Sequence, residues 1–406
     1  MNFKSILLGS AAAIVLAGGA QAADLTVAEP VDYVKVCDAF GSGFFYSPGT
    51  DTCIKIGGYV EFGTSFGGGD RSPLDKNDNN NWGNFYTEVS IQLTASSVTE
   101  YGNLTGFIDY RAKTGNKTGT GNDAADFINE STNSAYVDSA YLELGPLKAG
   151  YFTSLFDFGR GYDDTGMFGS DSTTDHIQLT YAVNGFGLAI SVEDQRDRSS
   201  VGYYIDQSGI TRGNDNIPDI IGAVTYSSGI FSAKVAGAYT KTAVDFNTGE
   251  GKTGWAVGGG LEVALDNLSP GDRFFVSAAY GDNANSFTGI SGGTSVVGSL
   301  GLDDKLFSAA SGSSWSALAS YKHVWTPQLW SSLSGGYASF DGSGSIDNVK
   351  VDAWRVGFNT AYAPVKGLEL VADIFYTDVD IKNNPIADIA NDGDSWTANL
   401  FLKRSW

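Results

Sequence analysis

From residue 54 to residue 406 the chain repeats one unit: a stretch of alternating apolar and polar residues, a turn, and another such stretch. In the last unit Trp396, Ala398, Leu400 and Leu402 share one parity, and Thr397, Asn399, Phe401 and Lys403 the other. A period of two belongs to a strand whose two faces meet different surroundings. Sixteen strands are predicted, over 54–66, 83–97, 102–112, 133–145, 147–155, 175–184, 185–193, 218–227, 229–240, 254–266, 272–281, 314–325, 328–340, 351–363, 367–379 and 395–406. An even number returns both ends of a closed antiparallel barrel to one side, here expected to be the periplasm. The aromatic residue at the end, Trp406, suits a last strand that closes on the first and is anchored at a membrane interface.

The predicted connections alternate in length. Those at 99–101, 145–146, 184–185, 228–229, 267–271, 326–327 and 364–366 are short. Those at 67–82, 113–132, 156–174, 194–217, 241–253, 282–313, 341–350 and 380–394 are long. Asn184-Gly185 is a favoured hairpin turn, and Pro146 and Pro327 fall where no ladder donor is lost. Short turns on one edge and long loops on the other are expected of a transmembrane barrel and not of a β-sandwich.

Parity also assigns the faces. In the first strand Lys55, Tyr59 and Glu61 fall opposite Ile54, Ile56, Val60 and Phe62; in the third, Asn103, Thr105, Asp109 and Arg111 fall opposite Leu104, Ile108 and Tyr110. Tyr86, Glu88, Ser90 and Gln92 of the second strand, and Lys234, Glu262, Arg273, Lys322, Arg355, Glu369 and Asp373 later, take inward positions. A charged side chain held in mid-membrane lipid costs roughly 2–4 kcal/mol, so these groups must face water. Sixteen strands enclose too wide a lumen to fill with side chains, and the expected result is an aqueous channel. The fourth strand is irregular: Tyr136, Asp138, Ala140 and Leu142 compete with Ala135, Val137, Ser139 and Tyr141 for the outer face, through subunit contact or a misplaced register.

Residues 1–22 read as a secretory signal, with Lys4, an apolar core over 6–17 and Ala20-Gln21-Ala22 as the cleavage site. That core is too short to span a bilayer as a helix. The expected organisation is a removed signal over 1–22, a periplasmic N-terminal segment over 23–53 and the barrel over 54–406. The formal charge of −21 argues against nucleic acid as a partner. The 53 glycines and 13% aromatic residues suit the turns and interfacial belts of a barrel. Cys37 and Cys53, in an exported chain, are read as a disulfide closing a short loop over Phe44, Phe45 and Tyr46; two free thiols are the alternative, and a zinc site lacks its further ligands nearby.

The segments MNFKSILLGSAAAIVLAGGAQAAD and YVKVCDAFGSGFFYSPGTDTCIKIGGYV, with AYLELGPLKAGY and the terminal NLFLKRSW, resemble the alphaproteobacterial porin family. The resemblance covers the whole chain and is most specific around the two cysteines. It implies a homotrimeric outer-membrane porin of sixteen strands whose third external loop folds into the lumen as a constriction. Arg404 departs from the usual apolar end signal, and its side chain can snorkel to the interface.

That third loop, FDFGRGYDDTGMFGSDSTT over 156–174, concentrates Asp157, Asp163, Asp164 and Asp171, with Gly159, Gly161, Gly166 and Gly169 permitting a compact backbone. A solvated outer loop is the plain alternative. Opposite it a basic wall of Lys55, Arg111, Lys148 and Lys403 is expected, from strands that become neighbours on closure. Opposed acidic and basic rims would set a transverse field favouring small hydrophilic solutes and ions. A substrate-specific channel for a sugar or organic acid is the alternative, with Phe152, Phe156, Phe158, Tyr162 and Phe168 as an aromatic track or as the loop's own small core. A third reading is a surface adhesin acting through 282–313. No catalytic residue, cofactor or metal site is expected: His176 and His323 are the only histidines and lack a triad context, and the Asp/Asn clusters at 75–80 and 391–394 are explained as turns.

Overall fold

Alternation of apolar and polar residues lets each segment satisfy its backbone through neighbours while keeping one face for lipid and one for water, and closure removes the unpaired edges. The computed structural model describes residues 37–69, 82–117, 131–198, 203–206, 209–212, 217–244, 251–290, 310–344, 347–383 and 392–406. The signal segment 1–22, the cluster at 75–80 and the middle of 282–313 lie outside the described residues.

All sixteen expected strands are present. They are β1 (Cys53–Gly68), β2 (Trp82–Thr99), β3 (Gly102–Lys117), β4 (Ser131–Leu144), β5 (Leu147–Thr153), β6 (Thr173–Val183), β7 (Phe186–Glu193) and β8 (Asp219–Ser227). Then follow β9 (Phe231–Val244), β10 (Gly251–Ala264), β11 (Arg273–Asp282), β12 (Gly312–Thr326), β13 (Leu329–Gly342), β14 (Lys350–Val365), β15 (Leu368–Lys382) and β16 (Asp392–Ser405). The largest change from expectation is in β3, predicted to stop at 112 and observed to run to Lys117. Each strand pairs antiparallel with its sequence neighbour, and β16 closes on β1 from Trp396 opposite Gly68 to Ser405 opposite Tyr59. The Trp406 N–H donates to the carbonyl of Gly58 at 3.2 Å, extending the seam by one bond. Gly58, at φ +147°, is required there: a Cβ would stand 2.1 Å from the Ser90 carbonyl oxygen and 3.2 Å from the Trp406 ring.

The apolar parity is the exposed one, as Ile56, Phe62, Ile91, Ile108, Leu188 and Leu400 illustrate. Opposite it the polar face is knitted across strands: Tyr59 donates to Glu88 at 2.5 Å, Tyr86 to Glu61 at 2.9 Å and Ser90 to Asp109 at 2.7 Å. The mixed faces of β4 come from a β-bulge. Asp109 pairs with Ser139 and Tyr110 with Val137, so Asp138 is an inserted residue and parity reverses across it. Tyr136 and Tyr141 consequently share the polar face despite their odd spacing, and the Asp138 carboxylate reaches Arg111 at 2.9 Å.

Asn184 and Gly185 both adopt positive φ, as the two-residue hairpin requires. A Cys37–Cys53 disulfide ties the preceding segment to the start of β1, where Phe45–Tyr46 adds a short bridge to Cys53 and Ile54.

Candidate pore constriction

The connection between β5 and β6, residues 154–172, is bound at its root by buried charges. Glu193, at the end of β7, accepts from Ser154 Oγ at 2.7 Å, the Leu155 N–H at 2.9 Å and Ser191 Oγ at 2.7 Å. Arg198, closing a one-turn helix over Gln195–Arg198, has no exposed side-chain surface. Its guanidinium lies 3.4 Å from Glu193, 3.9 Å from Asp157 and 3.8 Å from Asp219, and it covers the Phe287 ring at 4.0 Å. It also donates to Ser170 Oγ at 2.8 Å and to Ser154. Asp157 accepts from the Ser172 N–H at 2.7 Å and from Ser170, which joins the two ends of the connection. Burial pushes the Asp157 carboxyl above its usual range, against the pull of Arg198 and its hydrogen-bond donors.

From this root the segment runs along the polar face of β8 to β16, where small residues leave room for it. Phe156 is fully buried among Ile221, Ala223, Ala236, Ala238 and Phe287. A Cβ on Gly258 would approach Phe158 to 2.8 Å, and one on Gly357 would meet Asp163 Oδ2 at 2.7 Å and Met167 at 3.0 Å. Tyr162 donates to Glu262 at 2.8 Å, and its N–H donates to Ser320 Oγ at 3.1 Å. Asp163 accepts from Ser332 at 2.5 Å; Thr165 donates to Asp373, and Asn399 donates to Thr165 Oγ1 at 3.2 Å. Phe168 is buried with Ala338, Phe340, Val351, Ala353, Val379 and Ile381, beneath the Arg355 guanidinium at 4.5 Å.

The four acidic residues of the connection therefore fall into different settings. Asp157 and Asp163 are packed against partners, Asp171 is exposed and paired with Arg160 at 2.5 Å, and Asp164 is exposed and, among the described residues, forms no ion pair within 4 Å. Atoms of the surrounding wall crowd Asp164 although its side chain stays open to water. That crowding, followed by the carboxylates of Asp373 and Glu61, pushes its pKa up to about 6, with Lys403 and Lys113 pulling the other way. Gly159, Gly161 and Gly166 take positive φ, and Gly169 approaches Gly289 too closely for a side chain on the latter.

The four expected basic residues stand on β1, β3, β5 and β16. Lys403 pairs with Glu61 at 3.1 Å and covers the Tyr59 ring at 3.9 Å. Arg111 reaches both Asp109 and Asp138 at 2.9 Å. Lys55 stands 5.9 Å from the Phe44 ring centroid, and Lys148 is held over Tyr141 and Phe152. Sequence reasoning missed that this wall is charge-matched: Glu61, Glu88, Asp109 and Asp138 interleave with the cations, and Lys113 joins Glu88 at 3.3 Å. Parity had put Glu61, Glu88 and Asp109 on that face, and counting both signs would have found the pattern. Arg198 and Glu193 were also missed; Arg198 lies in a long connection without periodicity, where no local signal exists. The aromatic residues divide too, with Phe156 and Phe168 sealed in packing and Phe152 beside an open cavity.

An exposed apolar belt around a closed sixteen-stranded barrel with a charged, hydroxyl-rich opposite face is the framework of an outer-membrane channel. The family model described as "Porin subfamily" matches residues 24–401. The chain is 34% identical over 325 residues to Porin Omp2b of Brucella suis, covering 70% of this chain and 85% of that protein. It is 33% identical over 328 residues to Porin Omp2b of Brucella abortus, with coverage of 70% and 85%. In fold it resembles the outer membrane channel DcaP of Acinetobacter baumannii, with a TM-score of 0.64 at 16% identity, over 89% of this chain and 99% of that one. The chain belongs to the porin subfamily, and it is an outer-membrane porin that forms a diffusion channel.

Proposed function

We infer that residues 154–172 fold into the lumen and constrict it, with Asp164 on the rim facing the β1, β3, β5 and β16 wall. One observation carries this reading: Phe156 packs on β8 and β9, whereas Thr165 bonds to β15 and its hydroxyl to β16. Nine peptide steps span at most about 32 Å. The eight strand intervals from β8 to β16 measure about 38 Å across the strands, and more along a tilted circumference. Because it also touches β10, β12, β13 and β14 on the way, the segment reaches both places by the shorter path inside the ring of strands.

The opposite wall alternates acid and base, so the field at its surface is short-ranged, and the exposed Asp164 leaves the eyelet weakly cation-preferring above pH 6. Small hydrophilic solutes and ions pass by diffusion; no group has to make or break a bond, and the chain is not an enzyme in this reading. His176 is packed against Phe152 with ring centroids 3.7 Å apart, which supports a structural place for it. The further elements of the proposal are a homotrimer in outer-membrane lipid, a signal removed after Ala22, a periplasmic segment up to residue 53 and both termini in the periplasm.

Single-channel recording in a planar bilayer under a KCl gradient tests it. Ohmic steps in threes, with a reversal potential on the cation side that Asp164→Asn moves toward zero, are expected. Unchanged conductance and selectivity in that variant would remove Asp164 from the eyelet.

A further inference from the structure

We propose that the cavity between the root of the 154–172 segment and the β3–β6 wall is a binding subsite for a small organic carboxylate with a flat apolar body. It deepens the constriction reading above, on which its place in the permeation path rests. The cavity measures about 480 Å³, within the size range of small-molecule sites, and both Lys148 and Lys234 line it.

These two cations differ from those of the neighbouring wall. Arg111, Lys113 and Lys403 each contact a carboxylate within 4 Å, whereas among the described residues neither Lys148 nor Lys234 does. Lys148 is fixed by rings instead, its ammonium 3.7 Å from the Tyr141 centroid and 4.1 Å from that of Phe152. Aromatic faces hold a cation in place without cancelling its charge. Glu143 is its cross-strand partner in the β4–β5 register, yet makes no ion pair with it. Lys234 donates to the Asp157 carbonyl at 2.8 Å, and two ammonium hydrogens remain.

The two carboxylates bordering the cavity already have partners. Asp138 is paired with Arg111 at 2.9 Å, and Asp157 is held by Ser170, the Ser172 N–H and the Arg198 side. An entering anion thus meets two cations and little opposing charge. The wall beside them is apolar: Phe107 stacks on Tyr141 at 5.1 Å and continues toward Phe152. A hydrated inorganic ion would gain nothing from those rings, whereas a carboxylate on an aromatic or short hydrocarbon body uses both features.

Benzoate is the probe, with benzyl alcohol as its uncharged counterpart, added to the full-length channel in KCl. Saturable blockade of current by benzoate and not by benzyl alcohol is expected. The apparent affinity should fall about tenfold or more in Lys148→Gln and be largely kept in Lys148→Arg, the loss of one charge-assisted hydrogen bond. Lys234→Gln should weaken block similarly, each variant being normalised to its own open current. Conducting channels that benzoate does not block, or blocks equally in Lys148→Gln, would overturn the subsite and leave the pore standing. If folded protein shows no conductance the constriction reading fails, and saturation-transfer NMR of benzoate on the detergent-solubilised protein then decides the subsite: a signal lost in Lys148→Gln supports it, and no signal overturns it.

Discussion

Thr165 and Asp373, 208 residues apart in sequence, are joined twice: the threonine hydroxyl donates to Asp373 Oδ2 at 2.6 Å and its backbone N–H to the same oxygen at 3.1 Å. This pair moors the far end of the 154–172 segment to β15. Thr165→Val removes one bond to a buried charged acceptor, a loss of about 1–3 kcal/mol from the docked loop. Its outcome should be greater open-channel noise and faster amide exchange over 160–168, with the barrel's unfolding temperature nearly unchanged.

Asp164 has its pKa pushed up to about 6. A carboxyl raised in the folded state binds its proton more tightly there than in the unfolded chain. Its contribution to stability is therefore present at low pH and lost as pH climbs from the ordinary carboxyl range through 6, while its negative charge appears over the same interval. Cation preference, read as reversal potential, should rise between pH 5 and pH 7 with a midpoint near 6, and Asp164→Asn should flatten that step.

Arg198 is, among the described residues, the cation within 4 Å of the carboxylates of Glu193, Asp157 and Asp219, all buried. Removing one partner of a buried ionic cluster leaves uncompensated charge, and Arg198→Ala should lose about 3–5 kcal/mol of local or global stability. Thermal unfolding in detergent would show this. The deficit should shrink from pH 8 to pH 5, because protons replace the missing guanidinium on the carboxylates.

The Cys37–Cys53 bridge has a sequence separation of 16 and closes the segment before the barrel without joining two barrel strands. Closing a loop of this length is worth roughly 3 kcal/mol. Reduction or a double Cys→Ser change should open 38–52 to limited proteolysis, with single-channel conductance unaltered.

The sequence by itself determined the strand number, the closure and the faces. Each depends on a period-two pattern or a turn dipeptide that acts over a few residues, as Ile54 to Phe62 and Asn184-Gly185 show. Even the disorder in β4 was visible as a parity conflict, though its cause, the insertion of Asp138, emerged only when β3 supplied a register. A strong local signal also lay in β8 and β9, where Ile221, Ala223, Ala236 and Ala238 make both parities apolar and mark the bed for Phe156.

Tertiary structure alone decided which charges remain free. Asp157, Asp163 and Asp164 are alike in sequence, but one meets Arg198, one meets Ser332 and one stays exposed. Glu61 reaches Lys403 through a seam that joins opposite ends of the chain. Electrostatic character depends on distances of a few ångströms between groups hundreds of residues apart, and strand periodicity carries no information about those distances.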